Sequence, residues 1–205
     1  RVLFRSRRGD AAVRLAVSRS AEPHGRSTER VEELAGWFRQ IDSSKTTANL
    51  WGERWTKLVQ NGMGNGVTAA TGLTTGDCGR NATIRKFQIK LAGEGVRVGQ
   101  ALGFQLEKIK GLDPAKLALA AEGNAEALRE VDAAMTPKDV ANPRAAIQRP
   151  AMAQDMLKGR RTEIDALNGS IPLTRPEVGI CGDTPSKVPE TATQAGTGQI
   201  TAHTA

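Results

Sequence analysis

The sequence predicts an all-α protein, and three observations lead to that prediction. Apolar residues recur at helical spacing in several segments, and no segment shows the alternation of apolar and polar residues that is typical of a half-buried strand. Aromatic residues make up only 3% of the chain and tyrosine is absent, so the core is expected to consist of aliphatic side chains. Asparagine, aspartate, serine or threonine precedes several of the helical segments, where these residues act as N-caps.

The amino-terminal half is predicted to contain three helical segments. Ser27 or Thr28 caps the first of them, and its core-facing stripe is Val31, Leu34, Ala35 and Phe38. A polar break over residues 42–49 separates it from a second helix, which contains Trp51, Trp55, Leu58 and Val59 and continues into a glycine-rich run to Gly72. Asn81 caps the longest helix, which Gly103 closes. The inner face of that helix is predicted to be Ile84, Phe87, Leu91, Val98 and Leu102.

The second half gives shorter helices. Asp113 and Pro114 open a helix over 114–122, and Asn124 caps another over 125–135. Residues 136–150 contain three prolines and are predicted to form a loop, after which a helix begins near Ala151, is interrupted near Gly159 and resumes towards Leu167. The expected total is six or seven helices. We expect residues 1–25 to be a poorly ordered basic segment, 26–182 the helical domain and 183–205 a low-complexity tail.

Charge and composition exclude several classes of function. Residues 1–30 contain eight arginines and three acidic residues, so they account for five of the seven net positive charges. The body of the chain is therefore nearly neutral, and with few aromatic side chains for base stacking we expect no nucleic-acid partner. No apolar run approaches the length of a membrane span or of a signal peptide, so we expect no membrane association and a cytoplasmic location.

The stretch RWTKLVQNGMGN places polar side chains at regular intervals. Lys57, Asn61 and Asn65 follow one another at four-residue steps, so on a continuous helix they share one side, with glycines that permit close backbone approach. An ammonium and two carboxamides would suit a polar ligand. The alternative is a solvated stripe of a surface helix. The later segment QDMLKGRRTEID has a similar alternative, that of a charged helix with i,i+4 ion pairs.

Other candidate sites are not supported by their context. Gly64–Ala69 fits the spacing G-x-G-x-x-A, but the residues before it are helical and no βαβ unit surrounds it, so we do not expect a dinucleotide site there. His24 and His203 lie in terminal segments, and the two cysteines, Cys78 and Cys181, lack metal-ligand spacing. We therefore expect no metal centre, and reduced thiols.

Three segments taken in order, RWTKLVQNGMGN, AATGLTTGD and RPAMAQDMLKGRRTEIDALNG, closely resemble the carboxy-terminal domain of ketopantoate reductases. The resemblance extends from about Arg26 to Gly182. It implies a helical domain of the ketopantoate reductase and 6-phosphogluconate dehydrogenase type that binds substrate and dimerises. It also implies an NADPH-dependent reduction of 2-dehydropantoate in pantothenate biosynthesis.

The resemblance also implies roles for individual residues. Lys57 matches the lysine that donates a proton to the keto oxygen, and Asn61 and Asn65 match the asparagines that hold the hydroxyl and carboxylate end of the substrate. Glu163 matches the glutamate that reaches the nicotinamide end of the cofactor.

This sequence departs from the family pattern at several points. Ala151 stands where the family usually has a serine that binds the substrate carboxylate, and Thr75 stands where asparagine is common. The amino-terminal Rossmann domain is expected to be missing, with residues 1–25 at most a remnant of it, so the chain alone is expected to be inactive. Two alternatives stay open: a non-catalytic helical dimerisation module of the same fold, and a reductase for another branched 2-keto acid.

Overall fold

The computed structural model describes residues 18–40, 43–137 and 147–174 of the chain. Helices account for 64% of these residues and strands for 5%, which confirms the predicted helical fold class. The chain divides into two compact units, Arg1–Trp51 and Gly52–Ala205. In the described ranges, no helix combines the length and the apolarity needed to cross a bilayer.

The first unit is a strand–helix–strand arrangement. Strand β1 (Ser18–Ser20) and strand β2 (Ser44–Thr46) pair in parallel, with Ser18 opposite Ser44, and helix α1 (Glu29–Arg39) connects them. Thr28 caps α1, as predicted, by accepting a hydrogen bond from the backbone N–H of Val31. A parallel pair requires such a crossover, because a tight turn can only join antiparallel strands.

Three expectations for this part of the chain differ from the structure. No strand was predicted, since three-residue strands are too short to show an alternating pattern. Of the four residues in the predicted stripe of α1, Val31 and Ala35 are buried, whereas Leu34 and Phe38 are exposed, because two short strands cover only a narrow face of the helix. Residues 18–25, expected to be poorly ordered, include β1 and a turn closed by the Gly25 N–H donating to the Glu22 carbonyl.

The second unit consists of helices that follow one another along the chain. Helix α2, which begins just before the division, spans Leu50–Gly62, α3 spans Asn65–Thr71, α4 spans Thr75–Arg80, α5 spans Ala82–Ala101, α6 spans Pro114–Ala121, α7 spans Ala125–Met135, α8 spans Ala151–Leu157, α9 spans Ile164–Leu167, and α10 spans Ser170–Thr174. Asn81, Asp113 and Asn124 cap α5, α6 and α7 as predicted.

The ten helices of the described ranges exceed the six or seven expected. The additional helices are short: α3 was taken as part of the second helix, and α4 and α10 were not predicted at all. Helices of four to seven residues contain too few periods for a hydrophobic pattern to separate them from loops. Most of the predicted loop over 136–150, and the tail over 183–205, lie outside the described residues.

Helix α5 is the centre of the second unit. The prediction placed its apolar residues on one inner face, but from Gln88 to Gly99 nearly every residue is buried, so neighbouring helices surround it. Its glycines allow this close packing: a Cβ at Gly95 would lie 2.8 Å from Cγ2 of Val59, and one at Gly93 would overlap the Cβ of Ala121. Helix α5 is therefore a central helix, and its small residues allow the neighbouring helices to pack closely against it.

Replacing Gly93 by alanine is expected to lower the free energy of unfolding by about 1–3 kcal/mol, because α5 and α6 must move apart to admit the methyl group. Gly36→Ala is the matched control. Gly36 lies inside α1, and a Cβ there would meet nothing within 4 Å, so alanine should stabilise by up to about 1 kcal/mol through helix propensity. Urea unfolding of both variants measures the difference; the same sign for both would contradict the packing described for α5.

Candidate functional site

Helix α2, which contains the first predicted polar segment, is held in place by three residues, two of which contact the central helix α5. The Trp55 indole N–H donates to the Gly95 carbonyl at 2.8 Å, and its ring packs against Phe104 with the ring centroids 5.4 Å apart. The Thr56 hydroxyl donates to the Gly52 carbonyl and accepts from the Glu107 N–H at 2.8 Å. Val59 is fully buried against α5. These residues hold one side of α2 against the core, so the opposite side of the helix faces away from it.

Lys57 and Asn61 occupy that other side, where Lys57 is exposed and Asn61 is half-buried. The expectation that Asn65 continues the same helix is wrong. Helix α2 ends at Gly62, residues 63 and 64 form a turn in which the Gly64 N–H donates to the Asn61 carbonyl, and Asn65 is the first residue of α3. Glycines on both sides of Met63 weaken helix propensity at this point, which explains the break.

None of these three side chains has a hydrogen-bond or ion-pair partner within the part of the chain that the structure describes. The Asn61 and Asn65 carboxamides are half-buried, and neither is among the buried polar atoms without a partner, so both can still bind water or a ligand. The junction of α2 and α3 therefore presents one ammonium and two free carboxamides.

The second polar segment lies against the same junction. Helix α8 packs against α3, and Met152, Ala153 and Ile164 form a small core with Ala69 of α3. Asn168 is buried, and its side-chain N–H donates to the Gly62 carbonyl, at the last residue of α2, at 2.9 Å across 106 residues of sequence. The two segments are thus brought together by packing and by a specific hydrogen bond.

Glu163 immediately precedes α9, at its N-cap position, and its side chain is exposed and makes no capping hydrogen bond. The charged segment is not one continuous helix, because Arg160 and Arg161 lie between α8 and α9. Arg160 pairs with Asp155, and Arg161 lies 3.9 Å from Asp165. Ala151 is the exposed first residue of α8, and Thr75 is the half-buried first residue of α4, with its N–H donating to the Gln148 carbonyl.

Two residues at the junction were missed as site residues in the sequence. Asn168 was part of the recognised segment, but its contact with Gly62 is made across the fold and has no local signal. Lys110 comes from the turn between α5 and α6, and its Nζ lies 3.9 Å from the position that a Cβ on Gly64 would occupy. Positive φ angles at Lys110 and Gly111 accompany this turn, but the sequence indicates only the glycine.

Cys78, on α4, is a buried free thiol, and burial raises its pKa. A thiol whose pKa is raised is a weak nucleophile at neutral pH. The expectation of an incidental reduced cysteine agrees with this environment; Cys181 lies outside the described residues.

Comparison with known proteins shows which family the helical part of the chain resembles. The sequence model of the ketopantoate reductase PanE/ApbA C-terminal family matches residues 49–174. No curated protein matches the chain.

Solved structures share the fold. The 2-dehydropantoate 2-reductase of Geobacter metallireducens GS-15 is 26% identical with a TM-score of 0.59, over 88% of this chain and 53% of that one. The PanE/ApbA family ketopantoate reductase of Ralstonia eutropha JMP134 is 25% identical with a TM-score of 0.57, over 88% and 51%. A D-mandelate dehydrogenase solved with NADH and anilino(oxo)acetate is 19% identical with a TM-score of 0.55, over 82% of both chains. The chain spans about half the length of the two reductases.

Proposed function

The chain belongs to the ketopantoate reductase family, and we propose that it is the substrate-binding half of an NADPH-dependent 2-dehydropantoate 2-reductase. The observation that supports this best is the junction itself. The lysine and asparagines on α2 and α3 are joined, through the Asn168–Gly62 hydrogen bond and the packing of α8 on α3, to the segment that contains Glu163.

The first unit supports a cofactor domain in the complete protein. Its parallel strands β1 and β2, connected by α1, are the repeating element of a dinucleotide-binding sheet. We propose that Ser18–Thr46 is the end of such a sheet and that the rest precedes this chain, in the half of the reductases that the chain does not span. When bound, the nicotinamide would supply the hydride.

The residues of the junction suit the remaining parts of a ketone reduction. As a hydride adds to the keto carbon, the two electrons of the C=O π bond move onto oxygen, which must then take up a proton. The Lys57 ammonium can donate that proton and stabilise the developing negative charge, and Asn61 and Asn65 can hold the acid in orientation through their free amides. We assign Glu163 to the nicotinamide end. Pantoate and the oxidised cofactor are the products.

The proposal is tested on the chain together with the coding sequence that precedes it, by following oxidation of NADPH with 2-dehydropantoate. We expect turnover by this longer protein and none by the 205 residues alone, because the hydride donor needs the missing half. NADPH should be preferred over NADH. The cytoplasmic location and the homodimer implied by the resemblance remain part of the proposal, and gel filtration of the longer protein tests the dimer.

The two alternatives predict other results. A reductase for another branched 2-keto acid would turn over that acid faster than 2-dehydropantoate in a panel of 2-keto acids. A dimerisation module would bind no nicotinamide cofactor and reduce none of them. Turnover by the isolated 205 residues would contradict the proposal that cofactor binding requires the half of the reductase that this chain does not span.

A further inference from the structure

The turn between α5 and α6 is fixed and strained. Ile109 and Leu112 exchange two backbone hydrogen bonds of 3.0 Å, and Ile109 is fully buried. The two residues between them, Lys110 and Gly111, have φ angles of 51° and 83°. Lys110 is the one non-glycine residue with positive φ in the described ranges, and such a conformation is strained for a residue with a side chain. Strain of this kind is often found where a side chain must be held in one place.

The side chain of Lys110 runs from this surface turn to the junction of α2 and α3. Its Nζ lies beside Gly64, 3.9 Å from where a Cβ on that residue would be, which is the distance of an ordinary van der Waals contact. The groups that act on the ammonium are Lys57 on α2 and the thiol of Cys78 on α4. Burial lowers the pKa of Lys110, and the positive charge of Lys57 lowers it further.

The two ammonium groups have no carboxylate partner in the part of the chain that the structure describes. Among the described residues, neither Lys57 nor Lys110 forms an ion pair or a hydrogen bond with a carboxylate, whereas Arg85, Arg97 and Lys116 all do. The two ammonium groups come from different elements and repel each other in the absence of an anion. A bound anion would remove that cost, so the arrangement favours anion binding.

We propose that Lys110 is a substrate-binding residue whose ammonium binds the carboxylate of the 2-keto acid. The geometry of the ligand supports this, because the carboxylate and keto groups of a 2-keto acid occupy adjacent carbons. One acid can therefore meet Lys57 with its keto oxygen and Lys110 with its carboxylate. The identity of the ligand rests on the proposed function; the anion site rests on the two lysines.

The first experiment is a binding measurement that needs no catalysis. The longer protein, saturated with the oxidised cofactor, is titrated with pantoate while the ammonium signals of its lysines are followed by NMR, with Lys110→Arg identifying the Lys110 signal. Pantoate should raise the pKa of Lys110, since a carboxylate favours the charged form, and the neutral amide of pantoate should not. Pantoate binding should weaken about 10- to 100-fold in Lys110→Met. Lys108→Met, at an exposed position two residues away, is the control and should bind as the unmodified protein does.

The second experiment is kinetic. Lys110→Met should raise the KM for 2-dehydropantoate by about the same factor by which it weakens pantoate binding, with a smaller effect on kcat. In Lys110→Arg the KM should lie between those of Lys110→Met and the unmodified protein. Thermal unfolding checks folding; Lys110→Met should melt no lower than the unmodified protein, because it removes a charge that Lys57 repels and that pairs with no carboxylate of the described residues.

The outcomes separate this proposal from the reductase function. A pantoate-dependent shift of Lys110 in a protein without reductase activity would refute the function and retain the carboxylate site. Equal pantoate binding and equal KM in Lys110→Met would overturn the site and retain the function. Inorganic phosphate that shifts the Lys110 signal while pantoate does not would also overturn it, because the anion would then not be a carboxylate.

Discussion

Replacing Lys57 by alanine in the complete enzyme is expected to lower kcat by about 10²- to 10⁴-fold, the usual contribution of a general acid. The proposed donor projects from α2, whose opposite side is fixed by Trp55, Thr56 and Val59, so the substitution should not disturb the helix. Affinity for the cofactor should change little, because the cofactor domain would hold most of it. Steady-state kinetics with 2-dehydropantoate and equilibrium binding of NADPH measure the two quantities.

Two further variants show what Lys57 contributes. Lys57→Arg keeps the positive charge, but guanidinium is a much weaker acid, so a proton donor predicts little recovery of kcat. Full activity of Lys57→Arg would show that charge alone is needed. Lys90→Ala, at an exposed lysine of α5, is the control and should leave kcat unchanged.

The Arg85–Asp132 ion pair is expected to dominate the acid sensitivity of the helical unit. Nε and Nη2 of Arg85 bind the two carboxylate oxygens of Asp132 at 2.7 and 3.0 Å, and Nη1 donates to the Gly79 carbonyl, so the pair joins α5, α7 and α4. Only 8% of the Arg85 side chain is exposed. Asp132→Asn would leave this buried guanidinium without a counter-charge, at a cost of about 3–5 kcal/mol in the free energy of unfolding.

The pH dependence of that cost has a definite sign. The hydrogen bond from Arg85 holds the pKa of Asp132 below its ordinary value, so the unfolded chain takes up the proton first as the solution is acidified. The stabilisation is therefore complete above the ordinary pKa of aspartate, about 3.9, and is lost as the pH falls through the lower folded-state value. The difference in the free energy of unfolding between Asp132→Asn and the unmodified protein, measured by urea unfolding, should become smaller below about pH 4.

Glu130→Gln is the matched control for Asp132→Asn. Glu130 is on the same helix and pairs with Lys116, but about half of each side chain is exposed, so its loss should cost less than about 1 kcal/mol. Two results would contradict the role given to burial. One is an equal loss of unfolding free energy in the two variants. The other is a difference in unfolding free energy between Asp132→Asn and the unmodified protein that persists in acid.

The sequence predicts what depends on near neighbours in the chain. Asn81, Asp113 and Asn124 act within three residues of themselves, and the long apolar pattern between Asn81 and Gly103 contains enough turns to identify α5. Lys57, Asn61 and Asn65 were found from their spacing and from the family resemblance, and their roles remain predictions. The break at Met63–Gly64 was missed because glycine lowers helix propensity without requiring that a helix end.

Features that depend on distant residues were not predictable. The contact of Asn168 with Gly62 and the approach of Lys110 to Gly64 each join parts of the chain that share no local pattern. The strands β1 and β2 depend on each other for hydrogen bonds across the length of α1. For such features the sequence shows which types of residue are present, and only the folded structure shows which of them come into contact.

The hydrogen bond between Asn168 and Gly62 also affects the order in which parts of the protein fold during synthesis. Helices α5, α6 and α7 are neighbours in sequence and can pack as soon as residues 82–135 have emerged from the ribosome, because local contacts form early. The carboxy-terminal anchor of α2 cannot form until residue 168 has followed. A nascent chain therefore has a helical core well before the segment with Lys57 and Asn61 is anchored at its end, and the proposed ligand-binding surface is completed last.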